Sequence, residues 1–181
     1  TIALIPFYGM FLSSFFDRIL SDNTTNMDPE TDGDQLYWHK VLSIIWFPIQ
    51  LFFIIFALTA ATRFDHLSTT QAVLLFAATG VATGEVGIVY AHELIHQKNK
   101  LERNLGDALL AMVLYGHFRT KHIQIHHRHV GTPADPVTAR YNEGFHRFFF
   151  RLIPEGLIAS WKVEATRLST KGRPVYDRSN P

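Results

Sequence analysis

The chain has 181 residues, enough for one domain with a sizeable core, a formal net charge of +1 and no cysteine. The lack of cysteine excludes disulfides, Cys-ligated zinc and Cys-ligated haem within these residues. The charge is unevenly spread: residues 1–91 carry three bases against eight acids, and residues 92–181 carry fourteen bases against eight acids. Most of the ten histidines lie between positions 92 and 146.

In chain order, the apolar opening TIALIPFYGMFLSSFF reads, within residues 1–20, as the tail of an earlier membrane span. The sequence starts inside that run and ends in a polar one, so it is expected to be a fragment of a longer protein. The polar stretch SDNTTNMDPETDGDQ, with Asp22, Asp28, Glu30, Asp32 and Asp34, reads as a loop. Residues 41–62, VLSIIWFPIQLFFIIFALTAAT, run for 22 residues without a charge, against the roughly 20 that a bilayer core requires. Pro48 lies inside this span, where a kink is tolerated in lipid. After the short link RFDHLSTT, a second span is expected over residues 67–96. Its apolar part, 67–91, holds one charge, Glu85. The small residues Ala77, Ala78, Gly80, Ala82, Gly84 and Gly87 suit close helix packing in lipid. The two spans form a hairpin. The alternative is a pair of helices buried in a soluble core.

Lys and Arg crowd the region after residue 92, so the positive-inside rule puts that end on the cytoplasmic side. Residues 105–118, LGDALLAMVLYGHF, are helical but short for a crossing and read as a buried or re-entrant helix. Beyond them bases alternate with aromatics, and FHRFFFRLI reads as a basic, aromatic helix at the membrane interface. The expected fold is all-α: a polytopic membrane helical bundle with a cytoplasmic-side histidine-rich metal site, residues 1–181 forming part of a single membrane domain.

Two histidine groupings carry the chemistry. In HELIH, His92 and His96 are four apart and share a helix face. Glu85, seven before His92, falls on that face two turns deeper. An acid inside a span is costly and points to function, with the histidines or a metal as its expected partners. Thr or backbone groups could satisfy it instead. The second grouping is KHIQIHHRH. His122 and His126 repeat the four-residue spacing, and His127 points about 100° away from His126 on an α-helix. Such a cluster can bind two metals, or one from two sides. Imidazole suits iron and zinc. His39, His66, His129 and His146 read as surface or interfacial, and His117 as a residue supporting the ligands or a bystander.

HELIHQ, followed by YGHFRTKHIQIHHRHVGTPADP, resembles the integral-membrane alkane 1-monooxygenases, which group with the membrane fatty-acid desaturases and hydroxylases. The family pattern is H-E-L-x-H-K, then E-H-x-x-G-H-H-x-x-V and a T-P-x-D-P turn. PFYGMFLSSFFDRILSDNTTN and YWHKVL are also similar to the family, so the likeness covers nearly the whole chain. Gln97, Lys121 and Ile125 depart from the pattern, and none of these changes removes a histidine. The family's later boxes, N-Y-x-E-H-Y-G and H-x-x-H-H, do not occur in this sequence, as expected of a fragment.

The resemblance implies two non-haem iron ions, with His92, His96, His122, His126 and His127 among their ligands. Glu85, Glu93, His117, Thr132, Asp135 and Arg140 are candidates to orient those ligands, although TPADP reads equally as a simple proline turn. It further implies terminal C–H hydroxylation of medium- or long-chain n-alkanes by O2. Electrons would come from rubredoxin and rubredoxin reductase, and the apolar hydrocarbon would enter from membrane lipid. The setting would be a bacterial inner membrane, with no nucleic-acid partner. The rivals are a desaturase or a lipid- or xylene-type hydroxylase of the same superfamily, an intramembrane zinc protease using His92, His96 and Glu93, and a non-catalytic scaffold or metal sensor. The spacing H-x-x-x-H-H and the TPADP turn favour the alkane type over desaturases, whose second box is commonly H-x-x-H-H.

Overall fold

The computed structural model describes residues 15–16, 18–19, 37–63 and 67–180. The partial span expected over 1–20 falls almost wholly outside the described residues, and the acidic loop does so entirely. Every regular element among the described residues is helical. The chain divides into two compact units, Thr1–Val113 and Leu114–Pro181.

In the first unit, α1 (Tyr37–Arg63) runs through Pro48 without interruption. A second continuous helical stretch covers Thr69–Ile95. It comprises α2 (Thr69–Ala82), a π-wound segment (Thr83–Gly87) and α3 (Ile88–Ile95). Both stretches have 27 residues and are apolar enough to cross a membrane. Helices therefore cover both expected spans, the first beginning a turn earlier than its uncharged core. Ser68 starts α2 through a capping box: the Gln71 N–H donates to the Ser68 hydroxyl, and the Ser68 N–H donates to the Gln71 side chain at 2.8 Å.

These helices leave large apolar side chains uncovered. Phe52 is 61 % exposed, Ile55 55 % and Val73 61 %. Helices in a soluble core would cover such groups, whereas lipid solvates them. The side chains that are buried are small or polar. On α1, Ser43, Gln50 and Ala57 recur every seven residues, the spacing of a packing seam, and Ala60 joins them. The Gln50 amide donates to the Leu109 carbonyl at 3.1 Å and accepts from the Trp46 indole N–H at 2.9 Å. A buried amide in this setting needs both partners, because no water is at hand to satisfy it. Gly87 makes room for it, since a Cβ there would collide with the Gln50 amide oxygen.

Helix α4 (Lys100–Met112) is the short helix expected near 105–118. It begins earlier, because Asn99 caps it by accepting from the Leu101 N–H at 2.8 Å. It also stops earlier, and Leu114 then takes a left-handed φ of 57°. α4 packs closely on α3 at Gly106, where a Cβ would lie 3.0 Å from the Ala91 carbonyl oxygen. Buried Glu102 binds Lys40 at 2.7 Å and ties α4 to the start of α1.

In the second unit, a π-wound segment (Thr120–His126) leads into a single α-turn (His127–His129), a loop, and α5 (Phe145–Ser169). α5 packs on the π segment through Gly156, Ser160, Glu164 and Leu168, spaced four apart. Alongside runs a stripe left exposed: Phe145, Phe149, Ile153, Leu157 and Trp161. The expected basic, aromatic helix is thus far longer than FHRFFFRLI, because the four-residue repeat continues past Pro154. A stripe of this kind predicts contact with lipid acyl chains. In the full-length protein reconstituted with brominated phospholipid, the fluorescence lost on Trp161→Phe substitution should be the quenched component. A Trp161 component quenched by aqueous acrylamide and untouched by brominated lipid would contradict that placement.

Candidate metal centre

HELIH lies at the end of the second apolar stretch. His92 is on α3, and His96 is its C-terminal cap. Leu94 and Ile95, each 1 % exposed, anchor this turn in the core, leaving His92 half-buried and His96 exposed. The two rings meet edge-on with centroids 4.7 Å apart, and each offers a ring nitrogen within 4.8 Å of the other's. Glu93 points its carboxylate at Gln97, whose side-chain amide donates to it at 2.8 Å. Glu85 lies in the π-wound Thr83–Gly87 and is exposed. The seven-residue spacing to His92 presumes uninterrupted α winding, and the π turn between them changes the register.

In the second unit the grouping differs from the α-helical expectation. His122 and His127, five apart, bring their Nε2 atoms to 3.0 Å. On an α-helix that separation spans roughly 140°, but π winding with its i to i+5 bonds stacks the two residues. The His127 N–H donates to the His122 carbonyl, closing such a turn. His122 also lies against the Phe118 ring, nearly parallel at 5.3 Å.

His126 turns its Nδ1 to Asp135 Oδ2 at 2.8 Å. The Asp135 side chain is fully buried and accepts from the Thr138 hydroxyl at 2.7 Å and the Val137 N–H at 3.0 Å. Burial pushes the Asp135 carboxyl upward. The hydrogen bonds from Thr138, His126 and Val137 and the charge on His126 outweigh it, so the net shift is downward. An ionised Asp135 can only accept, so in the neutral form of His126 the proton sits on Nδ1 and the Nε2 lone pair faces away from the carboxylate. This is how metal-binding imidazoles are usually oriented.

The loop that delivers Asp135 is held from several sides. Gly131, at φ 79°, makes the tight turn after His129, and its N–H donates to the Thr138 hydroxyl. Thr132 donates to the His129 carbonyl at 2.6 Å. TPADP is thus a proline turn and also the carrier of a histidine partner. Arg151 of α5 grips the loop: it donates to both Glu143 oxygens at 2.7 Å, to the Pro136 and Thr138 carbonyls at 3.1 Å, and to Glu155 at 2.8 Å. Arg140 does not reach a histidine; its guanidinium goes to Glu155 at 3.3 Å. A cavity of about 510 Å³ lies over this loop, lined by Thr132, Asp135, Arg140, Tyr141 and Arg151 among others.

His117 packs edge-on against Tyr115 at 4.9 Å. Burial, and then the nearby Lys121 charge, lower its pKa and keep it neutral at neutral pH. Lys121, where the family pattern has an acid, is only 5 % exposed. Its ammonium meets the Tyr115 hydroxyl and lies 5.2 Å from the Phe118 ring centroid. Its stem crosses Gly156, where a Cβ would lie 2.8 Å from Lys121 Cδ. Sequence reasoning missed Thr120, Thr138, Arg151 and Glu164. Of their contacts, Arg151–Glu155 at the i, i+4 spacing and Glu164–Arg167 at i, i+3 were open to a reading of the sequence.

The donor set fits a nitrogen-ligated metal. With metal–nitrogen bonds of about 2.1 Å, two imidazoles bound side by side on one ion hold their nitrogens about 3 Å apart, as His122 and His127 do. The fatty acid desaturase family model matches residues 68–180, a stretch containing both histidine groupings. The chain belongs to the fatty acid desaturase family. It is 31 % identical over 172 residues to alkane 1-monooxygenase 1 of Pseudomonas aeruginosa, covering 93 % of this chain and 45 % of that protein. Alkane 1-monooxygenase 2 of the same organism is 34 % identical over 175 residues, covering 93 % and 46 %. Alkane 1-monooxygenase 1 of Alcanivorax borkumensis is 33 % identical over 184 residues, covering 99 % and 44 %. This member of the desaturase family therefore spans about half the length of the curated relatives it matches. The likeness extends beyond the family-model match and takes in both long apolar helices.

Two outcomes follow from this geometry. Asp135→Asn should weaken metal affinity of the full-length protein about tenfold to a hundredfold in a chelator competition, since the His126 tautomer is no longer enforced. The Glu143 carboxyl is held down to about 2, first by its hydrogen bonds from Arg151 and then by the Arg140 N–H. A depressed carboxyl stabilises the fold fully above its ordinary value of 4.5 and loses that contribution as pH falls towards 2. Thermal unfolding followed across that window should show a shallower acid limb in Glu143→Gln than in the wild type. Matching limbs would contradict the clamp.

Proposed function

We propose that the intact protein is a membrane di-iron monooxygenase that hydroxylates the terminal C–H of medium- or long-chain n-alkanes. What carries the reading is the likeness to several alkane 1-monooxygenases over most of this chain, with every histidine of both boxes present. His92, His96, His122, His126 and His127 are proposed ligands of two non-haem iron ions. The iron pair, when bound, would supply O2 activation. One oxygen atom ends in the alcohol and the other in water, with two electrons and two protons taken up. Rubredoxin, reduced by rubredoxin reductase, is the proposed electron donor, and the basic residues after position 92 suit an acidic carrier.

The chain's own residues support this in distinct ways. The Asp135 carboxylate keeps the His126 proton on Nδ1 and so leaves Nε2 to a metal. The apolar surface of the two long helices offers hydrocarbon a route from lipid and keeps water away. By the positive-inside rule the histidines face the cytoplasm of a bacterial inner membrane. The zinc-protease alternative needs Glu93 as a base beside its histidines and leaves the second grouping without a task; here Glu93 is bound by Gln97.

The full-length protein should bind two irons per chain and, with rubredoxin, rubredoxin reductase, NADH and O2, turn octane into 1-octanol. His122→Ala or His126→Ala should abolish the product and reduce the iron. An alkene or an unsaturated acyl chain as product would assign a desaturase instead. A single zinc with peptide cleavage would overturn the oxygenase reading.

A further inference from the structure

The π-wound segment Thr120–His126 carries a consequence of its own. Two histidines five residues apart converge only because the backbone is overfilled by one residue per turn. Rewinding the segment as an α-helix would rotate successive residues by about 20° each, so Thr120 and His127 could not both keep their places. Such winding is rare and persists where packing and hydrogen bonds from a neighbour enforce it.

The neighbour is α5. The Thr120 hydroxyl donates to Glu164 Oε1 at 2.5 Å, a contact 44 residues apart in sequence between side chains 4 % and 6 % exposed. Arg167 donates to the other carboxylate oxygen at 2.5 Å and fixes it. A hydrogen bond to a charged, anchored acceptor is strong and directional. The segment is seated further by buried Ile125 and by the Lys121 stem across Gly156. These contacts set the rotation of the segment's first residues, and the ring pair joins its third residue, His122, to the residue that caps it, His127.

We propose that Glu164, acting through Thr120, is a positioning residue that holds the π register and so presents His122 and His127 as a converging pair. This rests on the metal-site reading above, but the register can be read without iron. In the full-length protein, His122→Cys with His127→Cys places two thiols where mercuric ion can bridge them, and His122→Cys with His126→Cys is the four-spaced control. The five-spaced pair should bridge. Adding Glu164→Ala or Thr120→Val should cut that bridging about tenfold and shift it to the four-spaced pair, while Glu164→Gln, which still accepts from Thr120, should restore it. In the otherwise wild-type protein, Thr120→Val should change the Mössbauer spectrum of the iron that remains bound, and Thr120→Ser should return it.

Bridging of the five-spaced pair that is indifferent to Glu164 and Thr120 would overturn the proposal, as would an unchanged spectrum with merely lower folded yield. A wild-type protein without iron would sink the di-iron reading instead, and the mercury bridging would still decide the register. If Glu164→Ala does not fold, Thr120→Val, which removes one hydroxyl and keeps the volume, decides.

Discussion

The second histidine grouping depends on one constraint: a helix turn wound wider than α, held against α5. Without it, His122 and His127 would point to different sides of their helix. With it, their Nε2 atoms face each other at 3.0 Å, an arrangement that a shared proton or a metal ion satisfies. His126, at the end of the same segment, turns its Nδ1 to Asp135. Three histidines within six positions thus take different tasks because the backbone departs from the regular ladder.

Around this turn the supporting contacts come from far along the chain. Arg151 ties α5 to the loop that carries Asp135, with four acceptors on that loop and Glu155 besides. Glu164 reaches the start of the π segment from the same helix. α5 therefore supports both the histidine-bearing segment and the loop carrying the Asp135 partner of His126. Lys121, in the place of the family's acid, is accommodated by a buried hydroxyl, two aromatic faces and the absence of a side chain at Gly156. The residue places a positive charge beside His122 in the sequence.

The first unit solves a different problem. Its two long helices expose Phe, Ile and Val, so their association draws on small residues and on polar contacts more than on burial of large side chains. Gln50 illustrates this: a fully buried amide, bonded to Trp46 and to the Leu109 carbonyl, seated in space left by Gly87. Leu94 and Ile95, packed beneath the HELIH turn, hold His92 and His96 in a common orientation at the end of the apolar stretch.

The sequence by itself determined the class of protein, the two long apolar helices and the histidine residues. Long uncharged runs and four-residue histidine spacing are local patterns, and local patterns survive without knowledge of the fold. It also singled out Asp135, through a turn motif whose meaning was open between a bend and a partner. What it could not determine was how the backbone winds. The α-helical period put His126 with His122 and Glu85 beneath His92, and the resemblance made Arg140 a candidate to orient a histidine. The tertiary structure does stack the His122 and His126 rings, at 5.5 Å, but it also brings His127 Nε2 to 3.0 Å from His122 Nε2, leaves Glu85 exposed and sends Arg140 to Glu155. The reason is physical: a π turn leaves no period in the sequence, because contacts such as Thr120 with Glu164 hold it in place, and they exist only once distant segments have packed.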